Sequence, residues 1–125
     1  ASFDDPIQSQ TVVPNRNAIM LLLATSYAQS VSAKNVFFGC HSGDFDIYPD
    51  CRIEFVDLLN SLIRQQGFDV EVKAPYIYMN KADIVSIGIM IKVPFNDTWT
   101  CYQGGDEPCG KCGACIERQE AFNNI

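Results

Sequence analysis

Val36-Phe37-Phe38-Gly39-Cys40 and Val70-Glu71-Val72-Lys73-Ala74 are the two segments on which the fold turns. The first is a short continuous apolar run, the pattern of a strand covered on both faces in a parallel sheet. The second alternates apolar and polar residues like a strand and stops at Pro75. Between them Phe55, Leu58, Leu59, Leu62 and Ile63 recur at helical spacing, and Gly67 closes that helix. Strand, helix and strand in this order predict a parallel pair joined by a helical crossover.

Working outward, Pro14 precedes Asn15-Arg16-Asn17 and the run Ala18-Ile19-Met20-Leu21-Leu22-Leu23-Ala24. Tyr27, Ala28 and Val31 continue its apolar positions, which predicts a helix capped by Asn15 and buried on much of its circumference. Residues 1–11 read as a loop or the tail end of something upstream. Downstream, Asn80 caps a third helix whose apolar face is Ile84, Val85, Ile87 and Ile91, and Asp83 in its first turn suits the helix dipole. Residues 116–122 read as a last helix. The fold class is therefore α/β, a parallel sheet with flanking helices. Two strands do not make a stable, doubly covered sheet. The chain accordingly reads as the C-terminal half of a larger α/β domain over residues 1–100, followed by a metal-binding knot and a helix over residues 101–125.

Six cysteines among 125 residues raise the question of disulfides. Disulfide-rich domains are usually small and poor in core, whereas 47% of this chain is apolar. Cys101, Cys109, Cys112 and Cys115 crowd together instead, in the pattern C-x7-C-x2-C-x2-C. Two-residue spacers let successive thiolates turn back onto one ion, and Gly104, Gly105, Gly110 and Gly113 relieve the backbone there. Four sulfur ligands suit tetrahedral zinc in a structural role, with no open position for a reactive water. An iron–sulfur cluster is the rival, and zinc is the preferred reading.

Nine basic residues against fifteen acidic ones give a formal charge of −6. That balance disfavours non-specific nucleic-acid binding, which neutralises phosphates with Lys and Arg. No run approaches the roughly 18 apolar residues of a membrane span, and residues 1–10 lack the features of a secretory signal. The chain reads as cytoplasmic, with no membrane partner.

A second constellation, Gly43-Asp44-Phe45-Asp46-Ile47-Tyr48-Pro49-Asp50-Cys51-Arg52, follows the carboxyl end of the first strand, where open α/β sheets bind ligands. Its acids, aromatic ring and arginine suit a polar heterocycle. The alternative is a solvated loop in which Asp50 caps the next helix. His41 reads as a loop or packing residue and Cys40 as a buried thiol; Cys51 stays open. Lys81 at a helix start is either solvated or placed to reach a phosphate. Trp99 and Tyr102 read as packing around the knot.

These residues carry a resemblance. Val12-Val13-Pro14-Asn15-Arg16-Asn17, Tyr48-Pro49-Asp50-Cys51-Arg52 with Glu54-Phe55, Lys81-Ala82-Asp83-Ile84-Val85, Thr98-Trp99-Thr100-Cys101-Tyr102 and Cys109-Gly110-Lys111-Cys112-Gly113-Ala114-Cys115 run in order through the chain. Together they resemble the 7-cyano-7-deazaguanine synthase family of the PP-loop ATP pyrophosphatase superfamily. The resemblance implies a PP-loop-type fold and a ligase that converts 7-carboxy-7-deazaguanine and ammonia, with ATP, into 7-cyano-7-deazaguanine for queuosine and archaeosine in tRNA. It implies zinc on Cys101, Cys109, Cys112 and Cys115, and commonly a homodimer. It also places Asp44, Tyr48, Asp50 and Arg52 at the substrate, with Arg16 and Asn17 at its edge and Lys81 nearby. No catalytic residue is assigned.

The sequence departs from the family in two places. The ATP-binding Ser-Gly-Gly-x-Asp-Ser loop has no match in these 125 residues, so the chain by itself lacks the phosphate cradle. It is then part of an enzyme that needs a complementary N-terminal segment, or a non-catalytic deazapurine-binding remnant. Ile53 also stands where the family usually has proline, a change at a helix start that matters little.

Overall fold

The computed structural model describes residues 10–125, so most of the loop expected over residues 1–11 lies outside the described residues. The chain divides into two compact units, one of Val13–Met79 and the other containing Asn80–Ile125.

The first unit is the strand–helix–strand core. Helix α1 (Arg16–Ser30) leads into β1 (Asn35–Phe37), and helix α2 (Ile53–Gln65) leads into β2 (Glu71–Lys73). The strands pair in parallel, with Asn35 opposite Glu71, Val36 opposite Val72 and Phe37 opposite Lys73. Val72 is 1% exposed and shares one core with Leu21 and Ala28 of α1 and with Val56, Leu59 and Ile63 of α2, while Val36 packs against its rim. Side chains alternate across a strand, so both helices cover the sheet face that carries Val36 and Val72. Asn35, Phe37, Glu71 and Lys73 point the other way and are exposed.

Three expectations are corrected here. Strand β1 is three residues long, and among the described residues its side chains Asn35 and Phe37 are exposed rather than covered. Helix α1 buries only Leu21, Thr25 and Ala28, while Met20, Leu23 and Tyr27 are exposed. On α2 the inward positions are Val56, Leu59, Asn60 and Ile63, and Leu58 and Leu62 face outward. Hydropathy marks a residue as able to be buried, and the neighbouring elements decide whether it is.

Asn60 occupies one of those inward helix positions and is 7% exposed. Its Oδ1 accepts the Val72 N–H at 2.8 Å, and its Nδ2 donates to the Val72 carbonyl at 2.9 Å. One side chain thus satisfies both peptide groups that β2 turns away from β1, and those groups would otherwise be buried without partners.

The helix ends follow local chemistry. Asn15 is the N-cap residue of α1, as expected, with φ 59° and without a side-chain cap hydrogen bond. Arg52, not Asp50, is the N-cap residue of α2. Gly67 adopts φ 81° just past α2 and donates its N–H to the Arg64 carbonyl.

In the second unit, helix α3 (Lys81–Met90) opens with a capping box: Asn80 accepts the Asp83 N–H at 2.9 Å and Asp83 accepts the Asn80 N–H at 2.9 Å. It packs on helix α4 (Gly113–Asn123). Of the apolar face expected on α3, Val85 is buried, whereas Ile91 follows the helix end and is exposed. Phe95 meets Phe122 edge-on, with ring centres 5.1 Å apart, and Arg118 donates to the Phe95 carbonyl at 2.9 Å. Gly88 makes room for this arrangement, since a Cβ there would lie 2.4 Å from Phe95 Cζ. No helix among the described residues is long and apolar enough to cross a membrane.

Candidate metal centre and binding loop

Cys101, Cys109, Cys112 and Cys115 each offer a sulfur, and all four sulfurs lie within 4.8 Å of one another. The Cys109 and Cys115 sulfurs are 4.0 Å apart. Tetrahedral zinc with bonds of about 2.3 Å separates its sulfurs by about 3.8 Å, so the cage has the right size. None of the four is in a disulfide, and three are buried.

Backbone geometry builds the cage. The N–H groups of Gln103 and Cys109 point at the Cys101 sulfur at 3.4 and 3.3 Å. Those of Lys111 and Cys112 point at the Cys109 sulfur at 3.4 and 3.3 Å. Such donors pull the thiols of Cys101 and Cys109 below their ordinary pKa, and the Tyr102 backbone N–H does the same for Cys112. Burial pushes Cys115 up to about 12 until a cation compensates it. Gly104, Gly105 and Gly110 adopt positive φ at the turns, whereas Gly113 begins α4. Cys112 is the N-cap of α4 and Cys115 lies in its first turn, where the helix dipole favours negative charge. Trp99 and Tyr102 are half exposed, and Trp99 donates to the Cys101 carbonyl at 2.9 Å. The residues fit a four-thiolate metal ion.

The candidate binding loop after β1 is pinned at several points. Ser42 donates both its N–H and its hydroxyl to the Met79 carbonyl at 2.9 Å. His41 is buried; its Nδ1 accepts the Gly43 N–H at 3.1 Å, and its Nε2 lies 3.3 Å from Asp44 Oδ2. This pattern places the imidazole proton on Nε2 and aims it at the carboxylate. The Asp44 carbonyl in turn accepts the N–H groups of Ile47 and Tyr48. Arg52 Nε donates to the Phe45 carbonyl at 2.8 Å, across the loop. Asn17 donates to Asp50 at 2.7 Å.

Of the candidate binding residues, Asp44, Tyr48, Asp50 and Arg52 therefore share this loop, and Asn17 joins them through Asp50. Arg16, next to Asn17, is exposed. Lys81 belongs to the other unit, where it forms a half-buried ion pair with Glu117 at 2.5 Å. It is not a solvated lysine. Sequence reading passed over His41 as an organiser of Asp44, and Glu117 altogether. Only the short spacing of His41 and Asp44 was there to be read; Glu117 lies 36 residues from Lys81 and carried no signal. Cys40 and Cys51 are buried thiols, and burial, with the charges of Asp44 and Asp50, pushes Cys51 up to about 12.

Comparison with known proteins agrees with the resemblance. A family described as "Queuosine biosynthesis protein QueC" matches residues 2–125. The chain is 49% identical over 124 residues to 7-cyano-7-deazaguanine synthase of Caldicellulosiruptor saccharolyticus, covering 98% of this chain and 55% of that protein. The Archaeoglobus fulgidus protein of the same name is 48% identical over 124 residues, covering 98% and 52%. That of Pseudoalteromonas atlantica is 51% identical over 114 residues, covering 90% and 52%. The chain spans about half the length of the curated relatives it matches. It belongs to the QueC family of queuosine biosynthesis proteins.

Proposed function

We propose that this chain forms the deazaguanine-binding and zinc-binding part of an ATP-dependent 7-cyano-7-deazaguanine synthase with a PP-loop-type fold. The activity belongs to the protein complete with an ATP-binding portion. The overall reaction takes 7-carboxy-7-deazaguanine, ammonia and ATP to the nitrile. ATP converts the carboxylate into a mixed anhydride that ammonia attacks; a second activation of the amide oxygen lets it leave, giving the nitrile. Both oxygens leave carried on phosphate, because neither is a good leaving group alone.

The chain's own residues bind and orient. The observation that supports this reading is the pinned loop after β1, where His41 lies against Asp44, Asn17 holds Asp50 and Arg52 Nε holds the Phe45 carbonyl. Asp44, oriented by His41, and Asp50, oriented by Asn17, present acceptors suited to the N–H groups of a guanine-like ring. Arg52 spends its Nε on the loop, and its two terminal nitrogens suit a substrate carboxylate. Tyr48 lies beside them, Arg16 supplies charge at the edge, and Lys81 is the residue suited to a phosphate. Zinc on Cys101, Cys109, Cys112 and Cys115 is structural and supplies folding free energy. The setting is cytoplasmic, with a homodimer or a complementary N-terminal segment as the protein partner and no direct nucleic-acid contact.

Calorimetry on the protein completed with its ATP-binding portion tests this. A hydrogen bond to a charged group contributes about 1.5–3 kcal/mol. Arg52→Ala should therefore weaken 7-carboxy-7-deazaguanine roughly 10- to 100-fold and leave ATP affinity unchanged. Unchanged substrate affinity removes Arg52 from the pocket and leaves it as the N-cap of α2. Substrate binding without any turnover in the completed protein favours the non-catalytic deazapurine-binding reading instead.

A further inference from the structure

Parallel strands end on the same side of their sheet, so the segments leaving β1 and β2 start side by side. Phe38 donates its N–H to the Lys73 carbonyl at 2.8 Å, and Ser42 donates its N–H and hydroxyl to the Met79 carbonyl at 2.9 Å. Residues 38–42 and 73–79 are therefore tied together at both ends. Gly39 lies between those ties and is exposed, and a Cβ there would meet nothing within 4 Å. Its φ is outside the left-handed region, so neither the backbone nor the packing requires a glycine. At the carboxyl end of a strand, a bare glycine lets a ligand come close to the main chain.

The aromatic rings beside this edge are used in different ways. Phe45 and Tyr48, on the loop after β1, pack against the core. On the segment after β2, Ile77 is 4% exposed and belongs to that core, Tyr76 is half-buried, and Tyr78 is 75% exposed. The backbone around Tyr78 is nonetheless held. Ile77 donates its N–H to the Ala74 carbonyl at 3.2 Å, and Met79 donates its N–H to the Tyr76 carbonyl at 2.9 Å, making two turns in succession. A buried neighbour on one side and the Ser42 bonds on the other fix the place from which the ring extends. A large ring kept in water on a fixed backbone has little ordering left to do when it binds.

We propose that Tyr78 is a substrate-binding residue whose ring stacks on the flat face of the deazaguanine. The inference rests on the deazaguanine reading of the loop after β1 and adds a residue from a different segment to it. Hydrogen bonds to carboxylates and a guanidinium lie near the plane of a heterocycle and recognise its rim. They leave its two faces to be covered by something flat and apolar, which an aromatic side chain supplies. Phe45 and Tyr48 are committed to the core, and the exposed ring on these two segments is Tyr78. Stacking alone does not tell one purine-like ring from another, so the adenine of ATP has the same chemistry. The acids and Arg52 on the adjoining loop assign Tyr78 to the deazaguanine.

The test is calorimetry on the protein completed with its ATP-binding portion, titrated separately with 7-carboxy-7-deazaguanine and with ATP. Tyr78→Ala should weaken the deazaguanine about tenfold or more and leave ATP affinity unchanged. Tyr78→Phe keeps the ring and should bind like wild type, and Tyr78→Leu should fall between Phe and Ala. Because the side chain is exposed, the urea midpoint should not move in any of the three. Full deazaguanine affinity in Tyr78→Ala overturns the proposal, as does an equal loss in Tyr78→Phe, which would assign the role to the hydroxyl. Loss of ATP affinity instead overturns it in favour of the adenine. Arg52→Ala, measured alongside, separates the two readings. Weakening by Arg52→Ala but not by Tyr78→Ala removes Tyr78 and keeps the loop; the reverse keeps Tyr78 and removes Arg52. No deazaguanine binding by the wild-type protein overturns both.

Discussion

Asn17 and Asp50, 33 residues apart, are joined by a 2.7 Å hydrogen bond that ties the first turn of α1 to the turn Pro49–Cys51. It fastens the loop after β1 to a helix that does not belong to the loop. Asn17→Ala should lower unfolding free energy by about 1–2 kcal/mol, since it leaves a partly buried carboxylate short of a donor. Asn17→Asp should cost more at neutral pH, because two carboxylates would then face each other. Its deficit should shrink as pH falls and one of them protonates. Urea unfolding at neutral and mildly acidic pH measures both; equal midpoint shifts for the two variants would contradict the contact.

Asn60 should be less tolerant than an ordinary helix residue. Asn60→Leu leaves the Val72 N–H and carbonyl without partners in a buried place, at about 1–3 kcal/mol for each. Asn60→Asp keeps the acceptor and loses the donor, so it should fall between Leu and wild type. Thermal or urea unfolding of the three proteins ranks them. An Asn60→Leu protein as stable as wild type would mean that the edge of β2 is satisfied in another way.

The knot should hold one zinc per chain. Elemental analysis should find zinc without the visible absorption of an iron–sulfur cluster. Structural zinc contributes on the order of 10 kcal/mol in small zinc peptides. Cys112→Ser should therefore give protease-sensitive protein, with the cleavages concentrated beyond Asn80. A well-folded, metal-free variant is the outcome that rejects the site.

Cys51 predicts an alkaline limit. Its folded-state pKa is raised to about 12 by burial first and by Asp44 and Asp50 next, against about 8.5 in an unfolded chain. The unfolded chain releases this proton first as pH rises, so the contribution is fully present below about pH 8.5 and is lost on approach to pH 12. Cys51→Ala should flatten the stability loss across that window. At pH 8 the native Cys51 should resist iodoacetamide that labels it readily in urea, as mass spectrometry of the modified peptide would report.

Some of this molecule follows from the order of its residues. A strand-like run at Val36, a helical repeat from Phe55 to Ile63 and a second strand at Val72 specify a parallel crossover, because side-chain period and backbone hydrogen bonding are local matters. The four late cysteines likewise carry their chemistry in their spacing, since short spacers force thiolates together whatever surrounds them. The rest depended on which elements meet. An apolar run at residues 18–24 reads as a buried helix, yet only the face turned toward Val72 and α2 finds neighbours. Asn60 looks like a polar interruption on an apolar helix until the edge of β2 is seen to need its amide. His41 becomes the partner of Asp44, and Lys81 that of Glu117, only once the backbone has folded. Hydrogen bonds, ion pairs and burial are made across space between residues tens of positions apart, and nothing in the local sequence records who the partner will be.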